Sequence, residues 1–171
     1  MMKKFMAVVT VICVMIFFAS LIHSQVTAKY VGEKICAACH RGAAKGSQAE
    51  IWEKSSHAKA YKTLETPEAD KIAKEKGLKT TAKDSPACLK CHTVGNGKDG
   101  VTCEACHGPG SEYKSIAVMK DRGKALAAGL IIASNDPKLC EKCHNPESPS
   151  YKKFDYKASW EKIKHPLPKK G

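Results

Sequence analysis

The chain has 171 residues and a formal net charge of +12, with 43% apolar but only 6% aromatic residues. That length suits one domain, yet beyond residue 28 large apolar side chains are few and Lys is abundant, so a protein-only core of ordinary size is hard to assemble and something else must fill the interior. A basic balance points first to nucleic acid or an acidic membrane surface, but no aromatic-interleaved basic motif accompanies it and the N-terminus reads as an export signal, which sets nucleic acid aside.

Residues 1–28 have the form of a secretory signal. Lys3 and Lys4 supply the positive start, Phe5 to Ile22 form an apolar run, and Val26-Thr27-Ala28 offers small residues for signal peptidase. Cleavage after Ala28 leaves 143 residues, numbered 29–171, and a charge of +10. The apolar run is at the lower end of what spans a bilayer, so an uncleaved membrane anchor is the rival reading. Cys13 follows Ile12 rather than the small residue a lipoprotein signal needs, and reads as apolar filler. Either way the body of the protein is exported, with the periplasm the first expectation and an extracellular or membrane-anchored place the others.

Beyond the signal the expected elements are helical. Ser47 with Glu50 forms a Ser-x-x-Glu box opening a helix towards Leu64 that carries Trp52 and His57. Thr66-Pro67 caps a Lys-rich helix that Gly77 ends. Ser111 precedes a helical stretch with Tyr113, Ile116 and Met119, stopped at Gly123. Asp136-Pro137 opens a short helix, and Asp155 caps one containing Trp160 and Ile163. No strand ladder is evident.

All eight cysteines after residue 28 fall in one pattern, repeated four times: Cys36-Ala37-Ala38-Cys39-His40, Cys88-Leu89-Lys90-Cys91-His92, Cys103-Glu104-Ala105-Cys106-His107 and Cys140-Glu141-Lys142-Cys143-His144. Two thiols separated by two residues can add to the two vinyl groups of one haem, and the adjoining His then reaches the iron. At this chain's composition one such motif arises by chance on the order of 0.02 times per sequence of this length. Structural zinc rarely places His directly after every second Cys. Disulfides leave the four histidines unexplained, and a thioredoxin-like pair needs a strand-to-helix setting that is absent. The reading is four covalently attached haem c groups with His40, His92, His107 and His144 as proximal iron ligands. The fold class is then mainly α, helices and long loops wrapped around four haems with little or no β-sheet. With two propionates on each haem, the net charge falls to about +6 oxidised and about +2 reduced.

The proximal histidines are separated by 52, 15 and 37 residues, so no single unit repeats, and the short interval suggests a tight pair of second and third haems. Beyond residue 28 only His57 and His165 remain as distal histidines, with Met119 as the one methionine. His165 precedes Pro166, which favours an extended conformation able to point at a haem. Three candidate groups thus serve four irons, and at least one iron lacks a strong sixth ligand. Trp52, Trp160 and Tyr113 are expected to pack against haem planes.

The stretch Gly100 to Tyr113, GVTCEACHGPGSEY, together with Trp52-Glu53-Lys54-Ser55-Ser56-His57-Ala58, resembles the cytochrome c-554 family of tetrahaem cytochromes. The resemblance implies that His57 lies opposite His107 on the third haem, that His165 lies opposite His144 on the fourth, and that the second haem is five-coordinate on His92. In the family the first haem's distal His follows the third motif. Here that stretch reads Ser115-Ile116-Ala117-Val118-Met119, which leaves Met119, an open iron or a neighbouring molecule for the first haem. A member of that family takes electrons from hydroxylamine oxidoreductase, a partner that cannot be assumed here.

Function therefore reads as electron transfer between a donor and an acceptor redox protein, without enzymatic turnover. The alternatives are an enzyme acting on nitric oxide, hydroxylamine or nitrite at an open haem, and a subunit of a haem-lined extracellular filament built by self-association.

Overall fold

The computed structural model describes residues 27–95, 97–134 and 136–167. The apolar run of the N-terminal signal lies outside them, and among the described residues no helix is long and apolar enough to cross a membrane. The described residues form ten short α-helices and no strand, as the sequence led us to expect. They are α1 (Glu33–Ala37), α2 (Gln48–Lys54), α3 (Ala60–Thr63), α4 (Pro67–Glu75), α5 (Pro86–His92), α6 (Cys103–His107), α7 (Ile116–Met119), α8 (Arg122–Ala127), α9 (Pro137–Glu141) and α10 (Tyr156–Ile163).

Caps account for several boundaries. Thr66 Oγ1 accepts from Ala69 N with Pro67 in the first turn of α4, and Gly77 at φ 70° ends that helix as expected. Asp155 accepts from Ala158 N at the start of α10.

Two expected helices divide. The Ser47 box does not form, because Ser47 adopts φ 51° with no side-chain cap bond and Glu50 Oε1 instead accepts from Gly42 N at 2.9 Å. The helix then stops at Ser55, whose backbone is extended, and resumes as a 3-10 turn at His57–Lys59 leading into α3. The interruption frees the His57 carbonyl to accept from Val101 N at 3.0 Å, a long-range bond invisible to local periodicity. Gly100 makes this approach with φ 85°, and a Cβ there would stand 2.6 Å from that carbonyl oxygen. In the stretch after Ser111, Ser115 caps α7 and Asp121 caps α8 through Lys124 N. Gly123 lies inside α8 rather than stopping a helix, and Gly129, at φ 95°, follows its end.

The protein's own core is thin. Its buried apolar residues are Ala49, Tyr61, Leu64, Ala73, Ala82, Tyr113, Ala125 and Ala133, five of them alanines. Tyr61, Leu64, Ala73 and Ala82 cluster against Leu78, Cys88 and Leu89, beneath the second motif. Ile35, Ile131 and Ile132 are exposed at 48, 41 and 37%, which is costly in water unless a large apolar group covers them.

Candidate functional site

Each motif sits at a short helix whose last turn aligns its reactive atoms. In α6 the residues Cys103, Cys106 and His107 all lie within one and a half turns, and positions three and four apart share a helical face, so both thiols and the imidazole point the same way. The second motif is the C-terminal part of α5. The first and fourth leave their helices in a last turn, where His40 N bonds Cys36 O at 3.0 Å and His144 N bonds Cys140 O at 2.9 Å.

His92 and His107 are held by their inner nitrogens. His107 Nδ1 lies 2.9 Å from the Ile131 carbonyl oxygen, and His92 Nδ1 lies 2.8 Å from that of Ala60. A carbonyl only accepts, so Nδ1 carries the proton in both, leaving Nε2 with a lone pair for a metal. Phe154 stacks on His144 at 4.8 Å and 18°.

Both distal candidates meet a proximal histidine. The His57 and His144 rings face each other with centroids 6.0 Å apart, and those of His107 and His165 are 5.9 Å apart. Burial first, then the charge of His144, lowers the His57 pKa and so favours its neutral, ligating form. The combination is the reverse of the one the family resemblance implies, because His57 stands opposite the fourth motif and His165 opposite the third. The reason is tertiary. The break at Ser55 and the bond from Val101 turn His57 towards the fourth motif, while Gly46 and Gln48 seat the C-terminal segment beside the first and third. There Gln48 Nε2 donates to Pro166 O at 3.1 Å, and a Cβ on Gly46 would stand 2.6 Å from that oxygen. Met119 closes α7, and no hydrogen bond or ring contact among the described residues joins it to a motif histidine.

The attachment sulfurs also lie close across motifs. Cys36 lies beside Cys103, and that neighbour first, then burial, pushes the Cys36 thiol up. Burial first, then Cys91, pushes the Cys143 thiol to about 11, and Cys106 lies near Cys140. The adjacency runs from first to third, second to fourth and third to fourth motif.

The aromatic residues have protein partners. Trp52 Nε1 donates to Val101 O at 2.8 Å, Tyr113 OH donates to His107 O at 3.1 Å and Gly108 O at 2.6 Å, and Trp160 stacks on Tyr156. One residue escaped the sequence reading. Glu104, inside the third motif, is 2% exposed and accepts from Val31 N, Gly32 N and Gly110 N. A Glu between two cysteines carries no sequence signal that separates it from a surface residue.

These residues fit haem. Two metal–nitrogen bonds of about 2.0–2.1 Å plus two ring radii give a centroid separation of roughly 6.3 Å, close to both facing pairs. Exposed Ile35 and Ile131 beside the attachment residues are what a flat apolar group would cover. Among the described residues no three of His, Cys, Asp or Glu converge as they would on a lone metal ion. A helical chain whose paired thiols and imidazoles are arranged this way is a c-type cytochrome, binding haem covalently. Residues 35–108 match the family model described as cytochrome c554 and c-prime, a span that holds the first three motifs and His57. Cytochrome c-554 of Nitrosomonas europaea is 35% identical over 103 residues, covering 51% of this chain and 41% of that protein. Over this region the chain is similar to the cytochrome c-554 family. It spans about two fifths of the length of that curated relative, and no solved structure matches it.

Proposed function

We propose that this chain is an exported tetrahaem electron carrier, working in the periplasm between a donor and an acceptor redox protein. The observation that carries the reading is the adjacency of attachment sulfurs across motifs, Cys36 with Cys103, Cys91 with Cys143 and Cys106 near Cys140. Haems bound at neighbouring sulfurs are neighbouring redox centres, so an electron entering at one has a short path to the rest. Haem, when bound, supplies the one-electron couple, with axial ligands and burial setting each potential. The chain's part is to hold the iron ligands: the Ile131 and Ala60 carbonyls fix the rings of His107 and His92, so that ligation changes little when an electron arrives.

A second reading is favoured by one observation. His57 and His165 face the fourth and third motifs, so among the described residues no further histidine remains as a distal ligand for the first and second haems. An open iron would allow a small nitrogen compound such as nitric oxide, hydroxylamine or nitrite to bind. Among the described residues no group of three His, Cys, Asp or Glu gathers at His92, and electron transfer is the reading we adopt.

The test is maturation in a c-type assembly system. The denatured mass should rise by roughly 2.5 kDa over the polypeptide, four haems, and the product should exchange electrons reversibly with a small redox protein. Bare thiols in the denatured mass, or a product that takes no electrons, overturns the proposal.

A further inference from the structure

Glu104 is a buried carboxylate to which the attachment and ligation of haem assign no part. It is 2% exposed, and among the described residues no cationic side chain pairs with it. Its partners are backbone amides. Oε1 accepts from Gly110 N at 2.7 Å and Val31 N at 3.0 Å, and Oε2 accepts from Gly32 N at 2.8 Å and Val31 N at 3.1 Å. A Cβ on Gly110 would stand 3.1 Å from Oε1, so the cradle is built to carboxylate dimensions. Amide dipoles orient towards such a charge but do not neutralise it.

Its position relative to two attachment residues is what gives this charge a consequence. Glu104 directly follows Cys103 in α6. Gly32 bonds Glu104 through its N–H, and its carbonyl accepts from Cys36 Sγ at 3.8 Å, so one residue separates the carboxylate from the first attachment sulfur. Cys36 and Cys103 are themselves neighbours, and the charge of Glu104 acts on both.

We propose that Glu104 is a potential-setting residue: a fixed buried negative charge, shared by the first and third haems, that favours their ferric states and holds this pair at lower reduction potential. Reduction of a ferric haem adds one electron and no bond, so its cost rises with any nearby anion that solvent does not screen. The role rests on haem attachment at Cys36 and Cys103, and it gives the carrier a direction, because electrons settle on the haems further from Glu104.

The experiment is a spectroelectrochemical titration of holoprotein, with chemical mediators and dithionite, resolving the four haems by paramagnetic NMR. Glu104→Gln keeps the shape and removes the charge. At the wild-type midpoint of the first and third haems it should raise their reduced-to-oxidised ratio about tenfold, with the second and fourth changing by less than about threefold. Val31→Pro removes an N–H that donates to both carboxylate oxygens while keeping the charge, so it should lower the same ratio. If Glu104 merely straps residues 29–32, both variants loosen that strap and wet the haems, and both ratios fall together. A fall or no change in Glu104→Gln therefore overturns the proposal. Should Glu104→Gln not yield four-haem protein, the wild-type titration decides, and first and third haems whose midpoints lie at or above those of the second and fourth overturn the proposal. The denatured mass of wild-type protein separates this from the underlying reading, since missing haem defeats attachment itself, whereas four haems with unmoved potentials defeat only the role of Glu104.

Discussion

Replacing His57 with Ala should turn the fourth haem, and no other, from low-spin to high-spin. The reasoning is geometric. The His57 and His144 centroids are 6.0 Å apart, about 0.3 Å inside the roughly 6.3 Å that one iron between two imidazoles requires, an adjustment within ordinary side-chain freedom. Ala removes the imidazole and leaves His144 in place, so coordination falls from six to five at that iron while the paired thioether bonds of every haem persist, distal ligands having no part in attachment. His165→Ala should do the same to the third haem, since His165 lies 5.9 Å from His107. Electron paramagnetic resonance of the oxidised protein counts high-spin and low-spin irons, and each variant should gain one high-spin signal. Paramagnetic NMR then says which haem changed. His144 of the fourth motif stacks on Phe154, and His107 of the third is hydrogen-bonded to the backbone carbonyl of Ile131, so contacts of the haem signals to Phe154 or to residue 131 label the two sets. If His57→Ala changes the haem that contacts Ile131, the pairing read from the structure is wrong and the one implied by family resemblance is right. If neither spin count changes, both residues leave the ligand set.

Gly46→Ala should weaken the same third-haem ligation from a distance. A Cβ there would lie 2.6 Å from Pro166 O at φ 92°, so the substitution costs about 1–2 kcal/mol in backbone strain alone and pushes the His165 segment away. The high-spin fraction of the third haem, read by electron paramagnetic resonance, should rise, and an unchanged spectrum would show that Pro166 is not what seats His165. Reduced wild-type protein should bind carbon monoxide at the haem of Cys88 and Cys91, because His92 has no facing imidazole and a vacant site needs no ligand to leave first. Soret titration at dilutions that dissociate oligomers checks this, and a spectrum untouched by the gas would remove the ground for catalysis at that haem.

Haem attachment was legible in the sequence because its chemistry is local. Cys, Cys and His within five residues fall on one stretch of helix, so spacing alone aligns them, and this holds whatever the rest of the chain does. The lack of strands and the thin core were legible for a similar reason, since composition limits what a chain can bury. The caps at Thr66 and Asp155 were readable because a side chain reaching three residues ahead needs no other partner. The Ser47 box had the same local signature and failed, because Gly42 N offered Glu50 a competing bond. The helix expected to run through His57 failed likewise, where Val101 claims its carbonyl.

Which distal histidine meets which motif was decided only in three dimensions. His57 faces His144, 87 residues on, and His165 faces His107, 58 residues back. Both placements depend on backbone contacts across the chain, Gly100 against His57 and Gly46 against Pro166, whose closeness no periodicity encodes. The burial of Glu104 is of the same kind. Its side chain is polar, its place in the motif is unconstrained by haem attachment, and only the return of residues 31–32 and 110 around it makes a surface-like residue an interior charge. Short-range chemistry was written in the order of residues, while pairing and burial arose from long-range docking, where many weak contacts must agree before any one of them forms.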